Sequence, residues 1–265
     1  MSKILTSTSG GIFRMTLNRA KIGNCLDSET YHLLIAGFKE AAKNSDVKCV
    51  LLSGTGKFFS TGADVQLVLD GVDDPTKGPA HVIEVIRRSA VTLTQDLIDF
   101  PKPLVAAVNG PAVGWSAAAL GLFDIIYMAE SATIQTPFMT LGLVPEGVSS
   151  VTFPQRMGRS LASEVLLLGR KATAAELLGA GFTSRVFADE AFDIKVSEVL
   201  EKAVAQASSA SFFGGKRLLF DAKTREMLTE ANKAEFLGLK QQFEDGEPIR
   251  RFKALQAQLA AKKKA

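Results

Sequence analysis

The chain has 265 residues, of which 46% are hydrophobic and 22% are charged, a composition typical of globular domains and unlike that of disordered or fibrous proteins. Its formal net charge of +3 is small, and no basic patch is interleaved with aromatic residues, which argues against nucleic-acid binding. The two cysteines, Cys25 and Cys49, stand neither in a C-x-x-C pair nor near a histidine, which argues against a disulfide framework and a zinc site.

No segment predicts secretion or a membrane span. The first residues lack the long apolar run of a secretory signal. The longest uncharged run, residues 104–123, approaches the length of a membrane span, but it contains Asn109, Pro111 and three glycines. This run therefore favours a buried strand, a turn and a helix. We expect a soluble intracellular protein.

The chain begins with a predicted β-hairpin. Residues 3–9 and 12–17 alternate between polar and apolar side chains and are joined by two glycines, which is typical of a hairpin. The positions expected to face partly inward are Ile4, Ile12, Met15 and Leu17.

A helix and a buried strand are predicted next. Apolar residues recur at helical spacing in residues 27–42, with Asp27 or Ser28 as the N-cap. Residues 47–52 are mostly apolar and indicate a buried strand.

The glycine-rich loop in residues 53–64 resembles a phosphate-binding loop only superficially. Leu51 stands where the first glycine of G-x-x-x-x-G-K would be, and Phe58 replaces the serine or threonine. We therefore reject a P-loop nucleotide triphosphatase. Residues 65–80 are expected to continue as a loop.

The middle of the chain predicts repeated strand, turn and helix units. The predicted elements are a helix at 81–100, a strand at 104–108, a turn at 109–114, a helix at 115–122 and a strand at 123–129. Pro101 and Pro103 end the first of these helices. Crossovers of helical length between successive strands favour a largely parallel sheet.

The last part of the chain is predicted to be mainly helical. The expected elements are helices at 149–157, 161–168 and 174–179, a short strand at 184–187, and helices at 189–207, 211–223, 227–244 and 247–263. A helical end after a sheet-rich body suggests an appendage that packs on its own subunit or on a neighbour. The tail at 260–265 is expected to be a solvated helix end.

Residues 141–150 (LGLVPEGVSS) contain a single acidic residue, Glu146, which is also the only acid between Ser131 and Ser163. Apolar residues precede it and small residues follow it, so one interpretation places its carboxylate at the floor of an apolar pocket. There, loss of hydration would raise its pKa toward the range useful for proton transfer. The other interpretation is a surface turn, because Pro-Glu-Gly is ordinary turn chemistry.

Two predicted strand-to-helix turns, at 60–64 and 114–116, expose backbone N–H groups at a helix start, where negative charge is favoured. Two such donors from different turns would form an oxyanion hole, although ordinary helix starts present the same groups. His32 and His81 lie in or at the start of predicted helices without a Gly-x-Ser-x-Gly motif, which argues against a nucleophilic triad. Neither paired carboxylates nor a metal-binding cluster is visible.

Taken together, these segments resemble the crotonase superfamily, also called the enoyl-CoA hydratase/isomerase family. The motifs that stand in the order and spacing of that family are residues 59–64 (FSTGAD), 109–117 (NGPAVGWSA), 124–127 (DIIY), 141–143 (LGL) and 145–147 (PEG). Residues 17–21 (LNRAK), with Asn24 and Leu26, resemble its N-terminal signature. The resemblance extends from about residue 12 to residue 187.

The resemblance implies an α/β fold with a ββα spiral core in residues 1–195, which carries the acyl-CoA site, and a helical region for trimerisation in residues 196–265. It implies acyl-CoA thioesters as substrates, with the backbone N–H groups of Ala63 and Trp115 as oxyanion-hole donors. Trp115 replaces a glycine of most members, so its indole must occupy space near the acyl chain. The residues expected to contact substrate are Lys21, Thr61, Gly62, Ala63, Asp64, Trp115, Phe138 and Leu143. Lys21 is a candidate partner for the CoA phosphates, and an ordinary exposed lysine is the alternative.

Two departures from the family pattern separate the possible activities. Hydratases of the family use two glutamates, and the corresponding positions here are Ala118 and Phe138, so hydration is expected to be severely impaired. The Leu-Gly-Leu-x-x-Glu-Gly motif, followed by Phe-Pro at 153–154, resembles peroxisomal-type Δ3,Δ2-enoyl-CoA isomerases, whose reaction needs one base. Glu146 is then expected to carry a proton from C2 to C4 in an apolar cleft. The expected cleft walls are Phe138, Met139, Leu143 and Trp115.

Several alternatives stay open at this point. The chain could carry another crotonase activity, such as a dienoyl-CoA isomerase or a thioester hydrolase, or be a non-catalytic acyl-CoA-binding subunit. No metal or redox cofactor is expected, because CoA enters as part of the substrate. The resemblance favours a homotrimer or a dimer of trimers, and a peroxisomal role in fatty acid β-oxidation. Residues 263–265 do not match a peroxisomal tripeptide.

Overall fold

The computed structural model describes residues 2–73 and 78–262, and its strands form two sheets. The strands of the described residues are β1 (Ile4–Ser9), β2 (Ile12–Leu17), β3 (Cys49–Gly54), β4 (Leu104–Val108), β5 (Ala112–Val113), β6 (Ile125–Ala129), β7 (Thr133–Gln135), β8 (Ala172–Thr173) and β9 (Arg185–Phe187). The larger sheet has the order β1-β2-β3-β4-β6-β9, and the smaller one has the order β5-β7-β8. In the larger sheet β1 and β2 are antiparallel, and every other pairing is parallel, which confirms the predicted sheet.

Helices cover the larger sheet and make up the last part of the chain. They are α1 (Ser28–Lys43), α2 (Val65–Asp73), α3 (Gly78–Ile86), α4 (Thr92–Ile98), α5 (Trp115–Ala118), α6 (Ser149–Met157), α7 (Arg159–Leu168), α8 (Ala174–Gly179), α9 (Phe192–Gln206), α10 (Ser209–Leu219), α11 (Ala222–Glu244) and α12 (Glu247–Lys262). No helix of the described residues is both long and apolar enough to cross a membrane. The domain boundary predicted at 195–196 falls inside α9.

The N-terminal hairpin and first helix form as their sequence predicts. The inward positions of the hairpin, Ile4, Ile12, Met15 and Leu17, are all buried. Asp27 is the N-cap of α1, because its carboxylate accepts hydrogen bonds from the N–H (2.9 Å) and the hydroxyl (2.7 Å) of Thr30. Such a cap satisfies a backbone donor that has no partner within the helix.

The segment predicted as a loop at 65–80 is largely helical, so that prediction was wrong. Helix α2 covers its first part and α3 begins at Gly78, while residues 74–77 lie outside the described residues. Asp64 starts α2 by accepting a hydrogen bond from the N–H of Gln66 (3.1 Å). Val68 and Leu69 are buried in a small cluster with Phe243 of α11, which explains why the segment folds back onto the protein.

The helix predicted at 81–100 is present but contains a π-helical segment, Arg87–Val91, between α3 and α4. Two hydroxyl groups donate to backbone carbonyls here: Ser89 to Val85 (2.7 Å) and Thr92 to Arg87 (2.9 Å). Such bonds compete with the regular helical pattern. The segment brings Ser89 and Ala90 to the wall of a pocket described below.

The smaller sheet was not predicted, because β5 and β8 have two residues each and show no alternation. Its position is nevertheless important. The carbonyl of Gln135 in β7 accepts a hydrogen bond from the N–H of Gly114 (2.9 Å), so this sheet fixes the turn between β5 and α5.

The C-terminal helices pack on the core of their own chain. Helix α11 contacts α3, α4 and α6, and α12 contacts α2. The predicted appendage therefore closes over one end of the protein. The last three residues of the predicted tail, 263–265, lie outside the described residues.

Candidate active site

Glu146 lies in a turn between a short 3-10 helix, Met139–Leu141, and α6. Before the turn, the N–H of Leu143 donates to the carbonyl of Phe138 (2.8 Å). After it, the carbonyl of Glu146 accepts hydrogen bonds from the N–H (3.2 Å) and the hydroxyl (2.7 Å) of Ser149. The backbone that carries the Glu146 side chain is therefore fixed at the beginning of α6.

The Glu146 turn faces a pocket, so the residue belongs both to a turn and to a pocket wall. Its other lining residues are Tyr31, Ala63, Leu67, Val68, Val82, Val85, Ile86, Ser89, Ala90, Leu143, Leu239, Phe243 and Phe252. Apart from Glu146, Tyr31 and Ser89, these side chains are apolar. Among the described residues that line the pocket, Glu146 is the one carboxylate.

Glu146 has a raised pKa because of its surroundings. The residue is partly exposed, and the side chains that line the pocket around it are mostly apolar. Loss of hydration, with a smaller contribution from the negative charge of Glu235, raises the pKa of Glu146 to about 8. No hydrogen-bond donor to this carboxylate is found in the described part of the chain, so nothing offsets the cost of burying its charge. A carboxyl group in this condition can exchange a proton near neutral pH.

Tyr31 of α1 is the second unusual polar group in the pocket. The residue is 1% exposed, and its hydroxyl has no hydrogen-bond partner among the described residues. Burial, together with the nearby Glu146 charge, raises the pKa of Tyr31 well above its usual value. The hydroxyl is therefore neutral and free to donate a hydrogen bond.

The two turns singled out in the sequence lie against each other. Ser60 donates its N–H to the carbonyl of Pro111 (3.3 Å) and accepts from the N–H of Val113 (2.9 Å). The hydroxyl groups of Ser60 and Ser116 are 2.7 Å apart, which adds a second link. Gly62 has a φ of +83°, and a Cβ there would lie 2.5 Å from the Val113 carbonyl oxygen. Only glycine permits this close approach.

The backbone N–H groups of Ala63 and Trp115 have no acceptor within the described residues. Leu26 bonds to the residues on either side of Ala63, donating to the Gly62 carbonyl (2.8 Å) and accepting from the Asp64 N–H (2.9 Å). Trp115 is the first residue of α5, where backbone donors have no partner within the helix. Ala63 lines the pocket of Glu146, and Trp115 lines a small adjoining recess that Glu146 also lines. The structure thus brings together the three residues predicted as catalytic.

Asn24 holds the loop that leads to the first turn. Its side-chain oxygen accepts from the N–H of Arg19 (2.8 Å), and its side-chain nitrogen donates to the carbonyls of Thr55 (2.9 Å) and Phe58 (2.8 Å). The Asn24 carbonyl accepts from the Ser60 hydroxyl (2.9 Å). The residue is buried and adopts a left-handed backbone conformation, with a φ of 54°, which asparagine tolerates better than most residues.

The indole of Trp115 is buried between α1 and α4. Its Nε1–H donates to the Thr94 hydroxyl (3.1 Å), and its ring meets Tyr31 edge-on with centroids 5.4 Å apart. The side chain therefore forms part of the wall behind Glu146, in the space that most relatives, by the family pattern, leave to a glycine.

The other residues predicted to contact substrate occupy different places. Leu143 lines the pocket, whereas Phe138 is buried outside the lining residues and Met139 is 37% exposed. Asp64 and Thr61 hold the first turn, since Asp64 begins α2 and the Thr61 N–H donates to the Gly23 carbonyl (2.9 Å).

Lys21 lies on a short 3-10 helix, Ala20–Ile22, and is exposed. That helix lies beside the loop that precedes the first turn, because a Cβ at Gly56 would lie 2.9 Å from the Ala20 Cβ. Among the described residues, the lining set of the Glu146 pocket does not include Lys21.

The positions that carry glutamates in hydratases of the family are closely packed here. Ala118 is fully buried against the Glu146 turn, and a Cβ at Gly147 would lie 3.1 Å from the Ala118 Cβ. Phe138 is also buried. Neither position carries a second carboxylate beside Glu146. In the described residues, no group of three or more His, Cys, Asp or Glu side chains could hold a metal ion.

Sequence reasoning missed two polar residues at the site, Tyr31 and Glu235. Tyr31 belongs to the helical spacing of apolar residues in 27–42, which predicts a buried helix face and no role for its hydroxyl. Glu235 is 8% exposed on α11 and lines the smaller recess with Glu146. A signal for Glu235 was present, because it belongs to a buried stripe at helical spacing that is otherwise mostly apolar. The buried residues of that stripe are Leu228, Asn232, Glu235, Leu239 and Phe243.

Known proteins of one family match most of this sequence. The sequence profile of the enoyl-CoA hydratase/isomerase family matches residues 7–257. The human protein named enoyl-CoA delta isomerase 2 is 40% identical over 196 residues, which cover 73% of this chain and 48% of the human protein. The mouse protein named enoyl-CoA delta isomerase 3, peroxisomal, is 35% identical over 193 residues, which cover 73% of this chain and 59% of the mouse protein. The chain spans about half the length of these curated relatives.

The fold comparison covers nearly the whole chain. The crystal structure of an enoyl-CoA hydratase/isomerase from Pseudoalteromonas atlantica T6c matches with a TM-score of 0.86 at 27% sequence identity. The match covers 97% of this chain and 98% of that one. The predicted α/β architecture, with its helical C-terminal region, is therefore confirmed.

Proposed function

The chain belongs to the enoyl-CoA hydratase/isomerase family, and from that premise we propose that it moves the double bond of 3-enoyl-CoA thioesters to the conjugated 2-trans position. The observation that carries this proposal is the state of Glu146. It is the one carboxylate among the described lining residues of an apolar pocket, and its raised pKa suits both taking up and releasing a proton. The similarity to proteins named enoyl-CoA delta isomerases supports the same activity.

The first step is removal of a proton from C2 of the substrate. The Glu146 carboxylate takes the proton, and the electrons of the C–H bond move into a C1–C2 double bond. The thioester oxygen then carries the negative charge of a dienolate. The N–H groups of Ala63 and Trp115 would stabilise that oxyanion, because they are uncommitted and come from two turns in contact.

The second step returns the proton to C4. Protonated Glu146 donates to C4, the carbonyl re-forms, and the double bond now lies between C2 and C3. The proton lost at C2 is recovered at C4, so one shuttling group suffices and no electrons leave the substrate. The reaction in this proposal uses no metal or redox cofactor.

The pocket supports this chemistry over hydration. Its apolar walls disfavour ordered water, and the two positions that would carry hydratase glutamates are the buried Ala118 and Phe138. Without a second carboxylate, an attacking water would lack one of its two positioning groups. Glu146 would therefore act on carbon and not through a water molecule.

The decisive experiment is turnover of cis and trans 3-enoyl-CoAs of short, medium and long acyl chains. Appearance of the conjugated 2-enoyl thioester is followed by its absorbance, and crotonyl-CoA hydration is the negative control. We expect isomerisation by the wild-type chain and little hydration. Glu146→Gln should lower kcat by about 10²- to 10⁴-fold, the usual contribution of a general acid/base.

A matched control is Glu130→Gln, which neutralises an exposed glutamate before the smaller sheet and should leave turnover unchanged. Wild-type turnover in Glu146→Gln would disprove the role of this residue. Dienoyl-CoA isomerisation or release of free CoA as the faster reaction would favour the other crotonase activities. Tight CoA-ester binding without solvent-deuterium exchange at C2 would favour a non-catalytic binding subunit.

The compartment and the assembly are further parts of the proposal. We propose a peroxisomal role in fatty acid β-oxidation, supported by the name of the mouse relative. We also propose a homotrimer or a dimer of trimers, as the family resemblance implies, and an interface between copies would cover Leu218 and Leu219 of α10, which are 83% and 84% exposed in the single chain. Light scattering of the purified protein and imaging of a tagged chain in cells would test the two points separately.

Binding of CoA to Lys21→Ala, compared with wild type, would test the candidate phosphate contact.

A further inference from the structure

Glu235 is a buried carboxylate that reaches the Glu146 turn from the C-terminal helix α11. It accepts three hydrogen bonds: from the N–H of Val148 (2.7 Å), the N–H of Ser150 (3.0 Å) and the hydroxyl of Ser150 (2.5 Å). All three donors stand at the beginning of α6, where the helix dipole also favours a negative charge. Burial raises the pKa of Glu235 above its usual value, and these donors stabilise its ionised form and offset part of that effect.

The bonds to Glu235 fix a strained piece of backbone. Val148 has a φ of +55°, a left-handed conformation that β-branched residues rarely adopt. Its N–H is held by the Glu235 carboxylate at 2.7 Å. Because Val148 is two residues after Glu146, this contact determines the direction in which the turn presents the Glu146 side chain.

Glu235 also places a second negative charge next to Glu146. The two residues line one recess together with Trp115 and Asn232. In the described part of the chain, the titratable groups around Glu146 are Tyr31 of α1 and Glu235 of α11. The pocket residues from α2, α3 and α12 are apolar. A cation that would neutralise the pair is not found among these lining residues. Like charges in a poorly hydrated site increase the proton affinity of each other.

We propose that Glu235 is a positioning residue for the reaction: its carboxylate fixes the turn that carries Glu146, and its negative charge makes Glu146 a stronger base. The proposal rests on the proposed function for its effect on turnover, but its electrostatic part concerns two groups of the free protein. It assigns to the C-terminal helix a role in the chemistry and not only in packing.

The first test is Glu235→Gln, followed by ¹³C NMR titration of labelled glutamate side chains, with Glu146 assigned from the Glu146→Gln spectrum. We expect the titration midpoint of Glu146 to fall by about one pH unit when the neighbouring charge is removed. The acid limb of kcat/KM for a 3-enoyl-CoA should move to lower pH by the same amount. The plateau value of kcat should fall, because the Val148 and Ser150 N–H groups bond to different oxygens of Glu235, and glutamine would place an NH₂ donor against one of them.

The matched control is Glu230→Gln, which removes an exposed carboxylate from the same helix and should leave the Glu146 midpoint and the pH profile unchanged. A purely structural role predicts a different result for Glu235→Gln. Turnover and stability would then fall, while the titration midpoint of Glu146 and the acid limb of kcat/KM stayed at their wild-type values. That result would overturn the proposal.

A reciprocal measurement keeps the proposal testable if Glu235→Gln does not fold. Glu235 is expected to ionise at a lower pH than Glu146, while Glu146 still carries its proton, so Glu146→Gln should leave the titration midpoint of Glu235 unchanged. A fall of the Glu235 midpoint in that variant would show that Glu146 ionises first, and it would also overturn the proposal.

These titrations separate the two hypotheses of this protein. Coupled titration without any 3-enoyl-CoA turnover would refute the proposed isomerase while keeping the link between the two glutamates. Turnover that depends on Glu146, without coupled titration, would refute the role of Glu235 and keep the isomerase.

Discussion

Two carboxylates in this protein, Asp124 and Glu146, are withdrawn from water in opposite ways. Asp124, just before β6, meets the ammonium of Lys216 at 2.7 and 2.8 Å and accepts the N–H of Leu104 at 2.7 Å. The Lys216 side chain is only 1% exposed, and it comes from the distant helix α10. Glu146 has no donor in the described part of the chain, and its nearest charged neighbour has the same sign.

The difference shows how one kind of side chain serves either structure or chemistry. Around Asp124, an opposite charge and a backbone donor offset the cost of removing the carboxylate from water. Around Glu146 no partner offsets the cost of removing the carboxylate from water. The carboxyl group therefore has a raised proton affinity that suits acid/base exchange. A paired carboxylate ties α10 to the sheet, whereas an unpaired one is available to a substrate.

The largest effect on stability is expected from breaking the paired site. Lys216→Met leaves Asp124 partly buried without its cation, so the free energy of unfolding should fall by about 3 kcal/mol, the low end for buried pairs. Urea denaturation measures the change, and Lys233→Met, which removes an exposed lysine paired with Glu230, is the matched control. If the free energy of unfolding fell by less than about 1 kcal/mol, the Asp124–Lys216 pair would contribute no more than an exposed ion pair, which would contradict this comparison.

Removing the unpaired charge should have the opposite effect on stability. Folding raises the pKa of Glu146 from 4.5 to about 8. Between these two pH values, Glu146 of the folded protein keeps a proton that the unfolded chain has already released. The contribution of Glu146 to the free energy of unfolding is fully present below pH 4.5 and decreases as the pH rises toward 8. The full shift would correspond to about 4 to 5 kcal/mol, and the partial exposure of Glu146 reduces that value.

Glu146→Gln should therefore be more stable than wild type by about 2 kcal/mol above pH 8, and the difference should vanish near pH 4.5. Urea denaturation of both proteins across this range measures it. A variant that is less stable than wild type above pH 8 would show that the Glu146 carboxylate has favourable partners in solution.

The elements of the fold differ in how far the sequence predicts them. The hairpin, α1 and β4 follow from side-chain periodicity, which depends only on neighbours along the chain. Helix α2 was predicted as a loop, because its helical form depends on burial of Val68 and Leu69 against Phe243, far away in the sequence. The pairing of Asp124 with Lys216 depends in the same way on the packing of α10.

The candidate site was predictable to a similar degree. Glu146 could be found because its neighbours in the sequence carry no charge, and the turns of Ala63 and Trp115 because of their family motifs. Tyr31 and Glu235 could not be placed, since they come from α1 and α11 and meet only in the folded protein. Periodicity marks Glu235 as a polar residue in a buried stripe, but it does not identify the turn that this residue caps.

The smallest effect is expected at Tyr31, which extends the comparison to an uncharged group. Its hydroxyl is buried without a partner in the described residues, so it loses its hydration on folding and gains no hydrogen bond. Tyr31→Phe keeps the ring and its edge-on contact with Trp115, and it should stabilise the substrate-free protein by up to about 1 kcal/mol. Phe59→Tyr, which adds a hydroxyl to a residue that is 1% exposed, is the inverse control and should destabilise the protein. If Tyr31→Phe instead lowers stability by more than 1 kcal/mol, the hydroxyl already has a partner, and the pocket is less apolar than its walls indicate.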